Sequence, residues 1–238
     1  MKLALIGYGK MGKAIEEVAL HRKHEVVIKI DQPNLHEFIK ENLQKADVAI
    51  EFTSPHSALE NVRKCLEFGI PVVCGSTGWT EHLDEMKKLC AENLGAFIYS
   101  SNYSVGVNIF FEVNKKLAAL MAPHKEYEVI LEETHHTQKK DAPSGTAITL
   151  AEQILEYIKR KKQWVNDLSD NPEDLEIISQ RIDPAPGTHS IKYSSAIDNI
   201  EIIHTAHNRK GYATGAVLAA EFLKDKKGFF SMKDVLGL

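Results

Sequence analysis

Over the first hundred residues the chain alternates between short apolar runs and stretches whose apolar residues recur every three or four positions. The runs at 3–6, 26–30, 48–50, 72–73 and 96–98 are almost entirely aliphatic or aromatic, the pattern of strands buried on both faces. Between them, residues 10–22 place Met11, Ile15, Val18 and Ala19 on one side of a helix. Residues 56–67 do the same with Ala58, Leu59, Val62 and Leu66, and residues 80–93 with Leu83, Met86, Leu89 and Cys90. Strand–helix alternation with short connections requires right-handed crossovers and a parallel sheet. The expectation is a doubly wound α/β domain.

Beyond residue 102 the rhythm changes. Residues 107–121 read as a helix, 126–133 as a strand, 144–161 as a long helix and 163–174 as an exposed polar loop. Strand-like runs at 175–182, 189–193 and 200–205 are separated by PAPG and DN turns. A closing helix at 213–223 presents Ala216, Val217, Ala220 and Leu223 on one face, and a short turn follows from Ser231. This half predicts an α+β domain with a mostly antiparallel sheet. The expected division is a first domain of residues 1–102 with 208–238, and a second of residues 103–207.

Composition narrows the function. With 238 residues the chain can bury about 70–75% of its unfolded surface without a disulfide or metal. At 43% hydrophobic and 26% charged it is neither disordered nor fibrous. Its net charge of −4 is a poor basis for non-specific nucleic-acid binding, which needs many phosphate-facing cations. Cys65, Cys74 and Cys90 are odd in number and lack CxxC spacing, so no disulfide framework or metal site is expected. The first residues carry no signal-peptide pattern, and no apolar run approaches the ~20 residues of a membrane span. A soluble, cytoplasmic protein follows.

Gly7, Tyr8, Gly9, Lys10, Met11 and Gly12 form a GxGxxG turn after the first strand and before the first helix, the context in which that motif carries meaning. Its glycines allow a tight turn, close approach of a pyrophosphate and tight helix–strand packing, which makes the domain Rossmann-type and its cofactor NADH or NADPH. Asp31 ends the second strand, where an acid can accept from the adenosine ribose hydroxyls, a reading preferred to the alternative that it merely starts a turn before Pro33. Lys10 and Lys29 are candidates for a 2′-phosphate. Later strand ends are small and polar and suit the rest of a dinucleotide: Phe52, Thr53 and Ser54; Gly75, Ser76 and Thr77; Ser100, Ser101, Asn102 and Tyr103. For Thr53 and Ser54, ordinary loop and capping chemistry is an equal reading.

The densest polar stretch runs from Glu132 to Ala147 and contains His135, His136, Lys139 and Lys140, then Ser144, Gly145 and Thr146 at the start of the long helix. Clustered cations beside a helix N-terminus suit a doubly carboxylated substrate, with one residue left to supply a proton. A metal is not indicated, because the acid–His spacings match no common ligand set.

The segment HHTQKKDAPSGTA at 135–147 resembles the signature of the 4-hydroxy-tetrahydrodipicolinate (dihydrodipicolinate) reductase family. The similarity extends to GYGKMG at 7–12, CGSTGW at 74–79 and SSNYSVGVN at 100–108. It continues through Arg181, Gly187 and His189 to NRKGYATGAVLAAEFL at 208–223, and so spans nearly the whole chain in order. The resemblance implies NAD(P)H-dependent reduction of 4-hydroxy-tetrahydrodipicolinate to tetrahydrodipicolinate, with loss of water, in diaminopimelate and lysine synthesis. It implies His135 as proton donor or acceptor, Lys139 as the second catalytic group, and His136 with Ser144, Gly145 and Thr146 holding substrate carboxylates. It also implies a homotetramer built on the second domain, and domains that close on a hinge. Three features depart from the family pattern: a glycine turn one residue shorter, Ile130 where an acid is usual, and an abbreviated segment after Asp31.

Two other classes remain. A different Rossmann reductase of amino-acid metabolism, such as a semialdehyde dehydrogenase, needs a nucleophilic cysteine, and only Cys74 ends a strand. A non-catalytic NAD sensor should lack the His135–Lys139 pair. Arg181 and Arg209 can each meet a carboxylate or a neighbouring subunit. His189, His204 and His207 read as pocket-lining or structural, Trp79 as packing, and the cations at 159–162 as a solvated helix end.

Overall fold

The computed structural model describes residues 1–208 and 210–238. Its elements in chain order begin β1 (Lys2–Ile6), α1 (Lys10–His21), β2 (Glu25–Ile30), α2 (Lys40–Leu43), β3 (Val48–Glu51) and α3 (Pro55–Glu67). Next come β4 (Val72–Cys74), α4 (Leu83–Glu92), β5 (Ala96–Tyr99), α5 (Val105–Met121), β6 (Glu128–His135) and α6 (Gly145–Tyr157). The chain closes with β7 (Gln163–Val165), β8 (Asp174–Arg181), β9 (Thr188–Ser194), β10 (Asn199–Thr205), α7 (Lys210–Leu223), β11 (Gly228–Phe230) and α8 (Met232–Leu236). Two compact units result: Met1–Asn108 with Arg209–Leu238, and Ile109–Asn208.

The first unit holds a parallel six-stranded sheet in the order β11-β5-β4-β3-β1-β2. Both faces are covered, which is why its strands read as continuous apolar runs rather than alternating ones. Leu3, Leu5, Ile50 and Val73 pack with Ile15 and Ala19 of α1 and Ala216 and Ala220 of α7. Ala4, Ile6, Ala49 and Val72 pack with Val62 and Leu66 of α3 and Met86 and Cys90 of α4. From β1 the strand order runs one way to β2 and the other way to β3, β4 and β5, so the crevice expected of such a sheet opens beyond the ends of β1 and β3. The edge strand β11, only three residues long, is too short to leave a periodic signal.

The second unit holds a five-stranded sheet in the order β10-β9-β6-β8-β7. The β6–β9 and β9–β10 pairings are antiparallel, and β6–β8 and β7–β8 are parallel. One face buries Leu131, Ile177, Ile191 and Tyr193 against Leu150, Ala151 and Ile154 of α6 and Ala118 and Met121 of α5.

Two expectations change here. The polar stretch at 163–174 contributes the short strand β7. The cationic run is no solvated helix end: α6 stops at Tyr157, and Lys161 is buried with its ammonium on the Pro172 carbonyl (2.9 Å) and Glu128 (3.0 Å). Arg160 likewise donates to the Tyr127 carbonyl at 2.5 Å.

Candidate active site

The covered face of the second sheet changes character along its strands. In one cross-strand row Ile177, Leu131, Ile191 and Ile202 lie side by side; two residues further on, the same face carries Ser179, Glu133, His189 and His204. The next step pairs Arg181 with His135. Because strand side chains alternate with a period of two, Glu133 and His135 occupy inward positions continuous with the hydrophobic core.

Glu133 organises this end of the sheet. Its side chain is fully buried and accepts from the backbone N–H of Ser144 (3.1 Å), Ser179 Oγ (2.9 Å) and Arg181 Nη2 (3.1 Å). Burial works to raise its carboxyl, but donors from His189, Ser144, Ser179 and Arg181 outweigh it and hold the group well below the usual carboxylate range. Arg181 also donates to the carbonyls of Lys139 (3.2 Å), Asp141 (2.5 Å) and Gln180 (2.8 Å). With four of its five N–H groups engaged within the chain, Arg181 shapes the loop rather than offering a free fork to a carboxylate.

His135 Nδ1 lies 3.5 Å from Glu133 Oε2 and is a buried nitrogen without a hydrogen bond. Burial is the chief influence on its imidazole and pushes it down to about 4; Glu133 pulls upward, while His189, Lys139 and Arg181 oppose it. The His189 ring stands edge-on at 5.1 Å, its Nε2 3.1 Å from Ser144 Oγ. Gly187 leaves the space beside His135 Nε2 open: a Cβ there would sit 3.1 Å from that nitrogen.

Lys139 is ion-paired with Asp141 at 2.8 Å. Ser144 caps α6 by accepting from the Ala147 N–H (3.2 Å), so the positive end of the helix dipole lies at Ser144, Gly145 and Thr146. His136 is half-buried, and its carbonyl accepts from the Lys139 N–H. Glu133, His135 and His189 also bring their ligand atoms within 4.8 Å of one another, a grouping the linear spacing hid. The carboxylate is already held by Ser144, Ser179 and the Arg181 guanidinium, a cation that opposes a second one.

In the first unit the glycine turn is built as its motif requires. Gly7 has φ of +91°, and a Cβ on it would overlap the Phe52 carbonyl; one on Gly12 would overlap the Gly7 carbonyl, and one on Gly75 the Phe52 ring. These close approaches border a cleft of about 450 Å³ lined by residues 9–11, 52–55 and 75–77. Lys10 is exposed at its rim. Lys29 instead pairs with Glu16 (2.6 Å) and lies over the Tyr8 ring.

Asp31 caps the turn at Gln32–Glu37, accepting from the Gln32 N–H at 2.9 Å and, in a capping box, from the Asn34 N–H, which is the turn-starting role. Thr53 and Ser76 turn their hydroxyls onto Glu51, a buried acid that the sequence reading did not single out. Ser100 Oγ donates to the Asn102 carbonyl (2.7 Å), Asn102 Oδ1 accepts from the Ser104 N–H, and Tyr103 Oη donates to the Cys74 carbonyl (2.8 Å). Ser101 and Thr77 are exposed. Trp79 is buried and fixes the 75–77 turn by donating to the Ser76 carbonyl at 2.7 Å. Arg209 lies outside the described residues.

All three cysteines are buried, and burial pushes the Cys65, Cys74 and Cys90 thiols up. That is the opposite of a nucleophilic thiolate.

A glycine turn at the switch point of a parallel sheet, with a loop rich in His and Lys on a separate sheet, defines a Rossmann-type oxidoreductase that uses a pyridine nucleotide. Residues 1–103 match the dihydrodipicolinate reductase N-terminal family model and residues 106–236 the C-terminal one. The chain belongs to the dihydrodipicolinate reductase family. It is 49% identical to the 4-hydroxy-tetrahydrodipicolinate reductase of Christiangramia forsetii, over 99% of this chain and 98% of that protein. It is 36% identical to that of Methanosarcina barkeri, over 87% of this chain and 79% of the relative. A dipicolinate-bound dihydrodipicolinate reductase from Paenisporosarcina sp. TG-14 shares the fold, with a TM-score of 0.78 at 24% identity over 97% of each chain. No helix among the described residues is long and apolar enough to cross a membrane.

Proposed function

We propose that this chain reduces 4-hydroxy-tetrahydrodipicolinate to tetrahydrodipicolinate and water, with NADH or NADPH as reductant. The observation that carries the reading is the loop fastened by Glu133 and Arg181. It gathers an uncharged buried imidazole, a lysine and a helix N-terminus, which together suit a dianion that must take up a proton. Membership of the family supplies the reaction.

The glycine contacts and the cleft beside them fit a dinucleotide: residues 7–12 would hold the pyrophosphate, Asp31 the adenosine ribose, and residues 52–53, 75–77 and 100–103 the remainder. When bound, the reduced nicotinamide supplies the hydride. The reaction consumes one hydride and one proton and releases water, so the chain's own task is to neutralise the dianion and deliver the proton. His136, Ser144, Gly145 and Thr146 take the carboxylates. Lys139, held ready by Asp141, polarises the unsaturated ring. His135 is neutral before substrate arrives; two carboxylates nearby favour its protonated form, which then serves as the acid.

Asp31 favours NADH, while Lys10 is the cation left for a 2′-phosphate. The homotetramer implied by the family pattern would use the edge strand β10, where Ile200 and Ile203 are exposed. A coupled assay tests the reading. Supplied with the condensation product of pyruvate and aspartate semialdehyde, the protein should oxidise NADH or NADPH; failure with both cofactors refutes it.

A further inference from the structure

Glu51 is the last residue of β3, at the switch point of the parallel sheet, and it is fully buried. Its carboxylate accepts from the Thr53 N–H (3.1 Å) and hydroxyl, Ser76 Oγ (3.1 Å), Cys74 Sγ (3.0 Å) and Asn61 Nδ2 (3.4 Å). Every donor is neutral, and among the described residues no Lys, Arg or His lies within ion-pairing distance. A carboxylate buried without a counter-charge is costly, and a neutral acceptor would serve a purely structural network at lower cost.

The network is also closed. Thr53 Oγ1 accepts from Asn61 Nδ2 (3.1 Å) and Ser57 Oγ (2.8 Å), and Ser76 Oγ accepts from the Thr53 N–H (2.8 Å). What Glu51 contributes to the adjoining cleft is therefore mainly its field. Asp31 ends β2 on one side of the switch point, whereas Thr53 and Ser76 follow β3 and β4 on the other. If the adenosine half lies by Asp31, the nicotinamide half falls on the Glu51 side.

We propose that Glu51 is an electrostatic element of the cofactor site, a carboxylate that favours the cationic, oxidised nicotinamide over the neutral, reduced one. This rests on reading the cleft as a dinucleotide site. Loss of hydride turns a neutral ring into a pyridinium, so the charge makes the bound cofactor a stronger reductant.

Calorimetric titration of the intact protein with NAD+ and NADH separately tests this. The affinity ratio of oxidised to reduced form should fall by about three- to tenfold in Glu51→Gln, the scale of one screened unit charge. In Glu51→Asp, which keeps the charge, the ratio should hold. Equal weakening of both forms in Glu51→Gln, or an unchanged ratio, would make Glu51 a structural acceptor and overturn the proposal. If Glu51→Gln does not fold, Asn61→Lys decides. It sets an ammonium beside Glu51 and offsets its charge, so the ratio must fall, and a constant or rising ratio refutes the inference. Wild-type protein that binds neither form defeats the dinucleotide reading itself, a separate failure.

Discussion

Both carboxylate oxygens of Glu133 face the backbone N–H of Ser144, at 3.1 and 3.2 Å. Glu133 lies near the end of β6 and Ser144 caps α6, so one buried side chain closes the loop that carries His135, His136 and Lys139. Arg181 completes the clasp by joining Glu133 to the carbonyls of Lys139 and Asp141. The covered face of one sheet thus passes from the hydrophobic core at Leu131 to the polar cluster at Glu133 and His135.

Replacing Glu133 with Ala leaves the Arg181 guanidinium without its buried partner and the Ser144 N–H without an acceptor. Removing one member of a buried, hydrogen-bonded ion pair costs about 3–5 kcal/mol. Urea unfolding should register a loss of that size. A loss below about 1 kcal/mol would show that the loop does not depend on this carboxylate.

Arg181→Lys keeps the charge but not the fork. A single ammonium cannot hold Glu133, the Lys139 carbonyl and the Asp141 carbonyl together. On the proposed mechanism kcat should be at least about tenfold lower with little change in the substrate KM, because misplacing the loop that carries His135 and Lys139 slows the chemical step. A rise confined to KM would instead put Arg181 on a substrate carboxylate.

Asp31→Asn retains a side chain able to cap Gln32 while removing the charge offered to a ribose. KM for NADH should rise more than KM for NADPH. Equal changes would leave Asp31 with its capping role alone.

Much of this was legible in the chain. The both-faced apolar runs marked the parallel sheet, and the glycine turn marked its switch point. HHTQKKDAPSGTA identified the loop, since chemistry concentrated in one segment leaves a linear trace. The supports were harder to see because their partners are distant in sequence. Glu133 meets Arg181, 48 residues away, only through the pairing of β6 with β8. One local signal did exist: along Val129, Leu131 and Glu133 an acid takes the third position of an inward-facing series. Glu51 gave a similar sign, as an acid ending an otherwise apolar run. The cations at 159–162 misled because periodicity carried α6 past Tyr157, whereas Ile158 turns inward and Lys161 is buried.

The burial that lowers His135 makes the fold acid-sensitive. The unfolded chain protonates this imidazole near 6.5 and the native chain only near 4. Between those values the unfolded state holds more protons, so stability falls as pH is lowered through the window, by on the order of 3 kcal/mol across it. His204, also lowered by burial, acts in the same sense. Glu133, held below its ordinary range, adds a further loss below about pH 4.5. Thermal melts from pH 7 to pH 5 should show a steeper fall in Tm for wild type than for His135→Asn; parallel slopes would contradict the lowered imidazole.

The same imidazole reports on the substrate. Burial chiefly keeps His135 neutral, and His189, Lys139 and Arg181 add to it against the opposing pull of Glu133. A dicarboxylate bound beside it adds negative charge that favours the protonated form and raises the imidazole toward its ordinary range. Binding at pH 6 should therefore take up protons from solution, and uptake should shrink toward zero above about pH 8, where the bound form is also neutral. Calorimetric titration with dipicolinate in buffers of different ionisation enthalpy measures the number directly. His135→Ala should still bind the ligand but lose most of the uptake. If that variant takes up as many protons as wild type, the proton enters elsewhere and His135 is not the acid of the reaction.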